Sequence, residues 1–342
     1  YQTNISRVAD LTGLRRAKSA HTWFKHTLEQ VDNYKIVKDR SPSAAMEKKI
    51  KKLEYEIALN DYVQIYPKEI HTLSKYMAEI IEQDKNITFN FDSEVIRIVK
   101  QKNMFIITTE DKEIFCKKII IAVGRSGWRW ANSLYSGFGI VDNNDVARFG
   151  IRIEASSSVM KDFNKSNCTL TKGNDLEIGP FSWYGTVIPE DHVDLAISAF
   201  RSNENRWKSD KVSFSLIGNR PFPATGFEQT DRIGKLTFVL ANDRIVKERI
   251  SAILTNNSRI SIIPEYDWLK LVLTDLSIAI PEIATKAYFH VPTIVPFAPK
   301  INIGDNLETE VEGMFVAGES AGIHGILAAG IMGIAAADAA CK

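Results

Sequence analysis

The sequence predicts an α/β protein of two domains, and three observations carry that prediction. Its 342 residues exceed what one core usually serves, since chains beyond roughly 250–300 residues split into domains. The hydrophobic period changes near Asn86, from helical spacing before it to strict alternation after it. The C-terminal stretch EGMFVAGESAGIHGILAAGIMGIAAADAACK, Glu312 to Lys342, reads as a short apolar strand, a tight turn of small residues and a Gly/Ala-rich helix. Glycines let a backbone approach a bound group closely, and a helix N-terminus favours an anion.

Composition narrows the function. The 43 Lys and Arg against 42 Asp and Glu leave a net charge of +1, which gives no electrostatic case for nucleic acid. Cys116, Cys168 and Cys341 are scattered without a CxxC pair, so no disulfide framework, zinc site or dithiol pair is expected, and a reducing, cytoplasmic setting fits. The opening YQTNISRVADL lacks the apolar segment of a secretory signal. The C-terminal apolar run is long enough to cross a membrane, and its small residues suit helix pairing there. It is Gly/Ala-rich rather than Leu-rich and contains His324 and Asp338, so a buried helix and no membrane partner are expected.

In chain order, residues 1–85 read as mostly helical. SRVADLTGLRRAKSAHTWFKHTLEQV carries helical spacing, with Gly13 weakening its middle. AAMEKKIKKLEYEIALNDYV reads as a second helix with a solvated Lys-rich face. A third opens at Pro67 and runs to about Gln83, with Ile70, Leu73, Met77, Ile80 and Ile81 as its core stripe. His21, His26 and His71 have no paired ligand spacing and read as structural or surface histidines. ITFNF, EVIRIV, MFIITT, EIFC and KKIIIAVG then read as five short strands, with turns at Lys102-Asn103 and Asp111-Lys112.

From about Asp145 to Lys286 the pattern is that of an inserted mixed domain. ARFGIRIEA is a strand with Arg152 and Glu154 on one face. CTLTK, FSWYGTVIP, VDLAISAF and VSFSLIG are further strands. NDRIVKERISAIL and DWLKLVLTDLSIAI read as helices, the second broken at Pro281. The Trp and Tyr residues of 183–184 and 266–268 read as core. His192 and His290 are of the residue type suited to proton transfer at neutral pH, though neither has a visible partner.

The string FVAGESAG ahead of a Gly/Ala-rich helix resembles the C-terminal flavin motif of two-domain FAD enzymes of the glutathione-reductase type. Their strand commonly ends in Gly-Asp; the Gly318-Glu319 variant here is most similar to the FAD-dependent dehydrogenase family. Two other strings resemble that family in the right order: EVIRI leading through a meander to Ala122-Val123-Gly124, and FGIRIEA. The resemblance implies a Rossmann-like, three-layer FAD-binding domain with a β-meander, formed by 1–143 and 287–342, and an inserted substrate domain at 144–286. It implies an oxidoreductase that moves hydride between FAD and a small-molecule substrate, with NAD(P)H as a transient donor. Glu319 then holds the ribityl chain, the Val95 backbone contacts adenine, and Ala122 and Gly124 lie beside the cofactor. Gly318, Gly322, Ile323, His324, Gly325 and Ile326 form the strand end and helix N-terminus facing the flavin.

Three residues are the catalytic candidates. His324 either donates to the flavin or substrate or simply packs. Lys300, beside Pro299 in the returning segment HVPTIVPFAPKINIG, either stabilises the reduced flavin or is a surface lysine. Arg152 lies near an anionic substrate or the flavin edge, or forms an ion pair on a sheet surface. No metal ligand set is expected. Departures from the family leave the substrate open: Val123 stands for the usual Thr, and GPFSWYGTVIPE lacks the family's Cys and paired glycines. No G-x-G-x-x-G occurs, and Gly137-Phe-Gly139 is a lone GxG. Opening on Tyr1, the chain reads as one without its first βα unit, through truncation or loss of the cofactor's main anchor. The alternative function is a cofactor-free binding or scaffold module.

Overall fold

The computed structural model of the chain describes residues 18–19, 22, 25–27, 29, 35–59, 62–64, 67–141, 146–192, 195–202, 209–223, 226–242, 244–295 and 301–342. The chain is mixed α/β with one large antiparallel sheet. It divides into two compact units. The first comprises Tyr1–Ile36, Val63–Asp142 and Phe297–Lys342, and the second Val37–Tyr62 and Asn143–Pro296.

In chain order the elements begin with β1 (Lys35–Val37), α1 (Ala44–Lys52), β2 (Glu56–Ala58), β3 (Tyr62–Gln64) and α2 (Pro67–Glu82). Next come β4 (Val95–Gln101), β5 (Met104–Thr109), β6 (Glu113–Cys116), β7 (Ile119–Ile121) and α3 (Trp128–Gly137). The middle contains β8 (Val146–Ser156), β9 (Thr169–Lys172), β10 (Leu176–Ile178), β11 (Ser182–Trp183), β12 (Gly185–His192), β13 (Leu195–Ser202) and β14 (Lys211–Pro221). The remainder is α4 (Gly226–Leu240), β15 (Val246–Arg249), α5 (Ile250–Leu254), α6 (Trp268–Ala279), α7 (Ile283–Lys286), β16 (Tyr288–Ile294), β17 (Met314–Val316) and α8 (Ile326–Ala340).

In the first unit, β4, β5 and β6 form an antiparallel meander, and β7 pairs in parallel with β17. The register sets Met314, Phe315 and Val316 opposite Ile119, Ile120 and Ile121. Alternate residues of β17 serve two cores, as strand geometry requires. Met314 and Val316 pack with Ile119, Ile121, Phe105 and the α3 residues Ala131 and Tyr135. Phe315 and Ala317 pack with Ala328, Ile331, Met332 and Ala335 of α8. The strand is thus apolar throughout because both its faces are covered.

The second unit is organised by its sheet, with strand order β15-β16-β8-β14-β10-β9-β2, and β11 also pairs with β14. Its central pair, β8 and β14, runs antiparallel in continuous register from Val146↔Pro221 to Ser156↔Lys211. Gly150 permits that closeness: a Cβ there would stand 1.8 Å from the Leu216 carbonyl oxygen. Phe163, Phe181 and Phe214 pack as a row of tilted rings, with centroids 4.5 and 4.6 Å apart, and all three are fully buried.

Several elements differ from the sequence reading for identifiable reasons. The second helix stops at Lys52. Glu54 takes a left-handed φ of +65°, Tyr55 N donates to Ile50 O and Glu54 N to Lys51 O, a Schellman stop. The chain then enters β2 at the edge of the large sheet rather than continuing helically. ITFNF forms no strand; Ile87, Phe89 and Phe91 are exposed, and the two rings stack on each other. NDRIVKERISAIL is half strand, because Val246–Arg249 pairs with β16. Helices α3 and α4 add to the elements that the sequence pattern predicts, and Gly234 interrupts the interior of the second. Tyr288–Ile294, read as the return to the first domain, is a strand of the large sheet. Most of the first predicted helix lies outside the described residues. Among the described residues no helix is long and apolar enough to cross a membrane.

Candidate functional site

The parallel pair places two chain ends side by side. Ala317 N donates to Ile121 O at 3.0 Å, so the chain leaves β17 next to Ala122. Ala122 and Val123 are exposed, and Gly124 and Gly318 both hold left-handed φ angles of +66° and +67°. At Gly318 the glycine also serves packing: a Cβ would stand 3.0 Å from the Ala329 Cβ of α8. A 3₁₀ turn over Gly318–Ala321 closes with Gly322 N donating to Glu319 O.

Ile323 is buried, and Gly325, at φ +110°, starts α8 with no side-chain cap. The amides of Ile326, Leu327 and Ala328 have no partner within the helix, since its first bond runs from Ala329 N to Gly325 O. Glu319 is three-quarters buried, and its Oε1 lies 3.3 Å from His324 Nδ1. Beneath the turn, the Tyr135 hydroxyl donates to Ser320 O at 3.2 Å. Burial pushes the Tyr135 phenol well above its usual range, so it remains a neutral donor. Ser320 is buried, and its Oγ has no partner among the described residues.

These observations gather Ala122, Gly124, Gly318, Glu319, Gly322, Ile323, His324, Gly325 and Ile326 around the ends of one parallel pair. Val95 opens β4, and its carbonyl accepts from Trp130 Nε1 at 2.9 Å, so that backbone oxygen already has a donor. Lys300 and Pro299 lie outside the described residues. Arg152 belongs to the second unit. Tyr135 and Ser320 were not singled out from sequence, although Trp128, Ala131 and Tyr135 share helical spacing and are all buried.

No protein-family model matches the chain, and no curated protein does. Solved structures do. CtdE in complex with FAD and substrate 4 aligns at a TM-score of 0.33 and 13% identity, over 83% of this chain and 57% of that one. CtdE in complex with FAD gives 0.32 and 10% over 96% and 82% of the two chains. Tetracycline destructase Tet(51) gives 0.24 and 9% over 95% and 77%. The chain therefore spans less than two thirds of the first of these.

The second unit buries a polar cluster around Arg152. Its guanidinium donates to Ser215 Oγ at 2.9 Å, and to Ser213 Oγ and Ser198 O at 3.3 Å. His290 faces Arg152 across the β8–β16 register, and a bulge puts Thr293 opposite Gly150 on the same face. Glu154, two residues along, pairs with Lys247 at 3.8 Å. Both ring nitrogens of His290, the hydroxyl of Thr293 and that of Ser198 are buried without partners among the described residues. Burial first, then Lys247 and Arg152, hold His290 down at about 3, so it is a neutral imidazole at neutral pH and no acid there. His192 lies with its Nε2 3.1 Å from Glu190 Oε1. Among the described residues no group of side chains could hold a metal ion.

Proposed function

We propose that the chain is an FAD-dependent oxidoreductase of the dehydrogenase type, acting on a small-molecule substrate with NAD(P)H as transient donor. The observation that carries this is the parallel pair β7–β17, whose two continuations turn at left-handed glycines beside the start of α8. In open α/β sheets, ligands bind outside the carboxyl ends of the strands.

The residues present fit the group. The Glu319 carboxylate would accept hydrogen bonds from ribityl hydroxyls, and Gly318 keeps the turn low enough for close approach. The first-turn amides of α8 favour negative charge where the pyrimidine edge of the flavin would lie, and being fixed they need no reorientation. Ser320 Oγ supplies a buried hydroxyl in want of a partner. FAD, when bound, supplies the hydride chemistry, while the protein binds and orients it. Glu319 orients the His324 ring through Nδ1, and imidazole is the side chain suited to moving a proton at the site. The first unit is then the cofactor domain, with β7–β17 as its Rossmann-like, three-layer element. The second is the substrate domain, in which Arg152 binds the substrate's anionic group. The chain acts in the cytoplasm without a membrane or nucleic-acid partner.

The test is a visible spectrum of the purified full chain, before and after adding FAD and desalting, then under anaerobic NAD(P)H. A retained flavin band that bleaches is expected. A folded, colourless protein that releases all added FAD would overturn the proposal and favour the cofactor-free binding module.

A further inference from the structure

The second unit carries a cleft that this reading does not use. It has a volume of about 570 Å³, within the roughly 300–1,000 Å³ that small-molecule sites span. Arg40, Lys161 and Lys165 line it, and no carboxylate is among its described lining residues. The acid next in sequence to Arg40 is engaged elsewhere: Asp39 accepts from Asn167 N, Arg40 N and Ser166 Oγ. Glu282, whose charge Lys161 favours, is paired with Lys286.

Trp183 and Tyr184 form the aromatic side of the cleft, half-buried rather than in the core as the sequence reading placed them. The indole is fixed, because Trp183 Nε1 donates to Ser166 O at 2.7 Å. Lys165 Nζ stands 5.4 Å from the Tyr184 ring centroid, which sets a cation and a ring on one edge. The walls hold unusual backbone. Asn164, Lys165 and Tyr184 all adopt left-handed φ angles, +50°, +59° and +66°, which side chains other than glycine seldom take. Asn164 Nδ2 is spent on Ser41 O, which joins the two chain segments that carry the cations.

We propose that this cleft binds a planar aromatic group bearing a phosphate, of mononucleotide size. Three cations match a dianionic phosphate better than a single carboxylate. The fixed indole supplies a stacking surface for a base. The pocket's positive charge also makes binding sensitive to salt.

The experiment is calorimetric titration of the full chain with AMP, adenosine and inorganic phosphate. AMP is expected to bind, with adenosine and phosphate each at least tenfold weaker and AMP affinity falling as salt rises. The double variant Lys161→Ala/Lys165→Ala changes two exposed side chains and is expected to lose at least tenfold in AMP affinity with unchanged thermal stability. Glu319→Ala, at the proposed flavin site, is expected to bind AMP as the unaltered chain does. No AMP binding at millimolar concentration would overturn the proposal, as would binding indifferent to the two lysines. AMP binding lost in Glu319→Ala but kept in the lysine variant would also overturn it and place the nucleotide at the strand ends.

Discussion

The two units build their candidate sites from different materials. In the first, the candidate site is mostly backbone: two strand ends, left-handed glycines and the uncapped start of α8, with Glu319 and His324 as its side chains. In the second, the polar centres are side chains drawn from separate strands and loops, the Arg152 cluster and the cleft of Arg40, Lys161 and Lys165. Backbone sites tolerate no added atoms but depend little on neighbouring residue types. Side-chain sites depend on a rigid sheet to hold distant residues together, and their buried groups make them sensitive to pH.

Four measurements break or sharpen that contrast. If the second unit depends on its packed sheet, Phe181→Ala empties the middle of the Phe163–Phe181–Phe214 stack and costs about 3–5 kcal/mol, read as a lowered urea midpoint. In the first unit Gly318→Val meets both the left-handed φ and Ala329. It is expected to cost on the order of 1–3 kcal/mol and to abolish FAD retention; a variant that keeps flavin would show that the turn is not the seat of binding.

His290 gives the second unit an acid weakness. Its imidazole titrates at about 3 instead of 6.5, so between those values the unfolded chain binds a proton that the folded chain refuses. Stability is therefore full above about pH 6.5 and falls on acidification, by at most about 1.4 kcal/mol per pH unit. His290→Gln should flatten the fall in urea midpoint between pH 7 and pH 5 by that share; an unaltered slope would assign the acid sensitivity elsewhere. The smallest effect is expected from Tyr135→Phe, which removes one buried hydrogen bond to Ser320 O for about 1 kcal/mol, measured by thermal unfolding.

The same contrast explains what the sequence revealed. The geometry at the strand ends was legible because its parts are contiguous: FVAGESAG and IIIAVG each carry strand, glycine and turn in one string. The meander was legible because alternation over EVIRIV, MFIITT and EIFC is a local signal. Where tertiary pairing decided, the pattern misled. KERI and EYEI both sit in helical-looking runs, yet each is drawn into the large sheet as an edge strand, β15 at one end and β2 at the other. ITFNF alternates like a strand but has no neighbour among the described residues to complete one. The aromatic–basic cleft was hidden because residues 40–41, 157–165 and 183–184 meet only after the sheet has formed.

The central claim, that the strand ends hold FAD through Glu319, is tested most directly by FAD affinity in the full chain and in Glu319→Ala. Loss of a hydrogen bond to a charged group is worth roughly 1.5–3 kcal/mol, so the variant should bind about 10- to 150-fold more weakly with its fold intact. Equal affinity in the two proteins, or no measurable binding in either, would contradict the account.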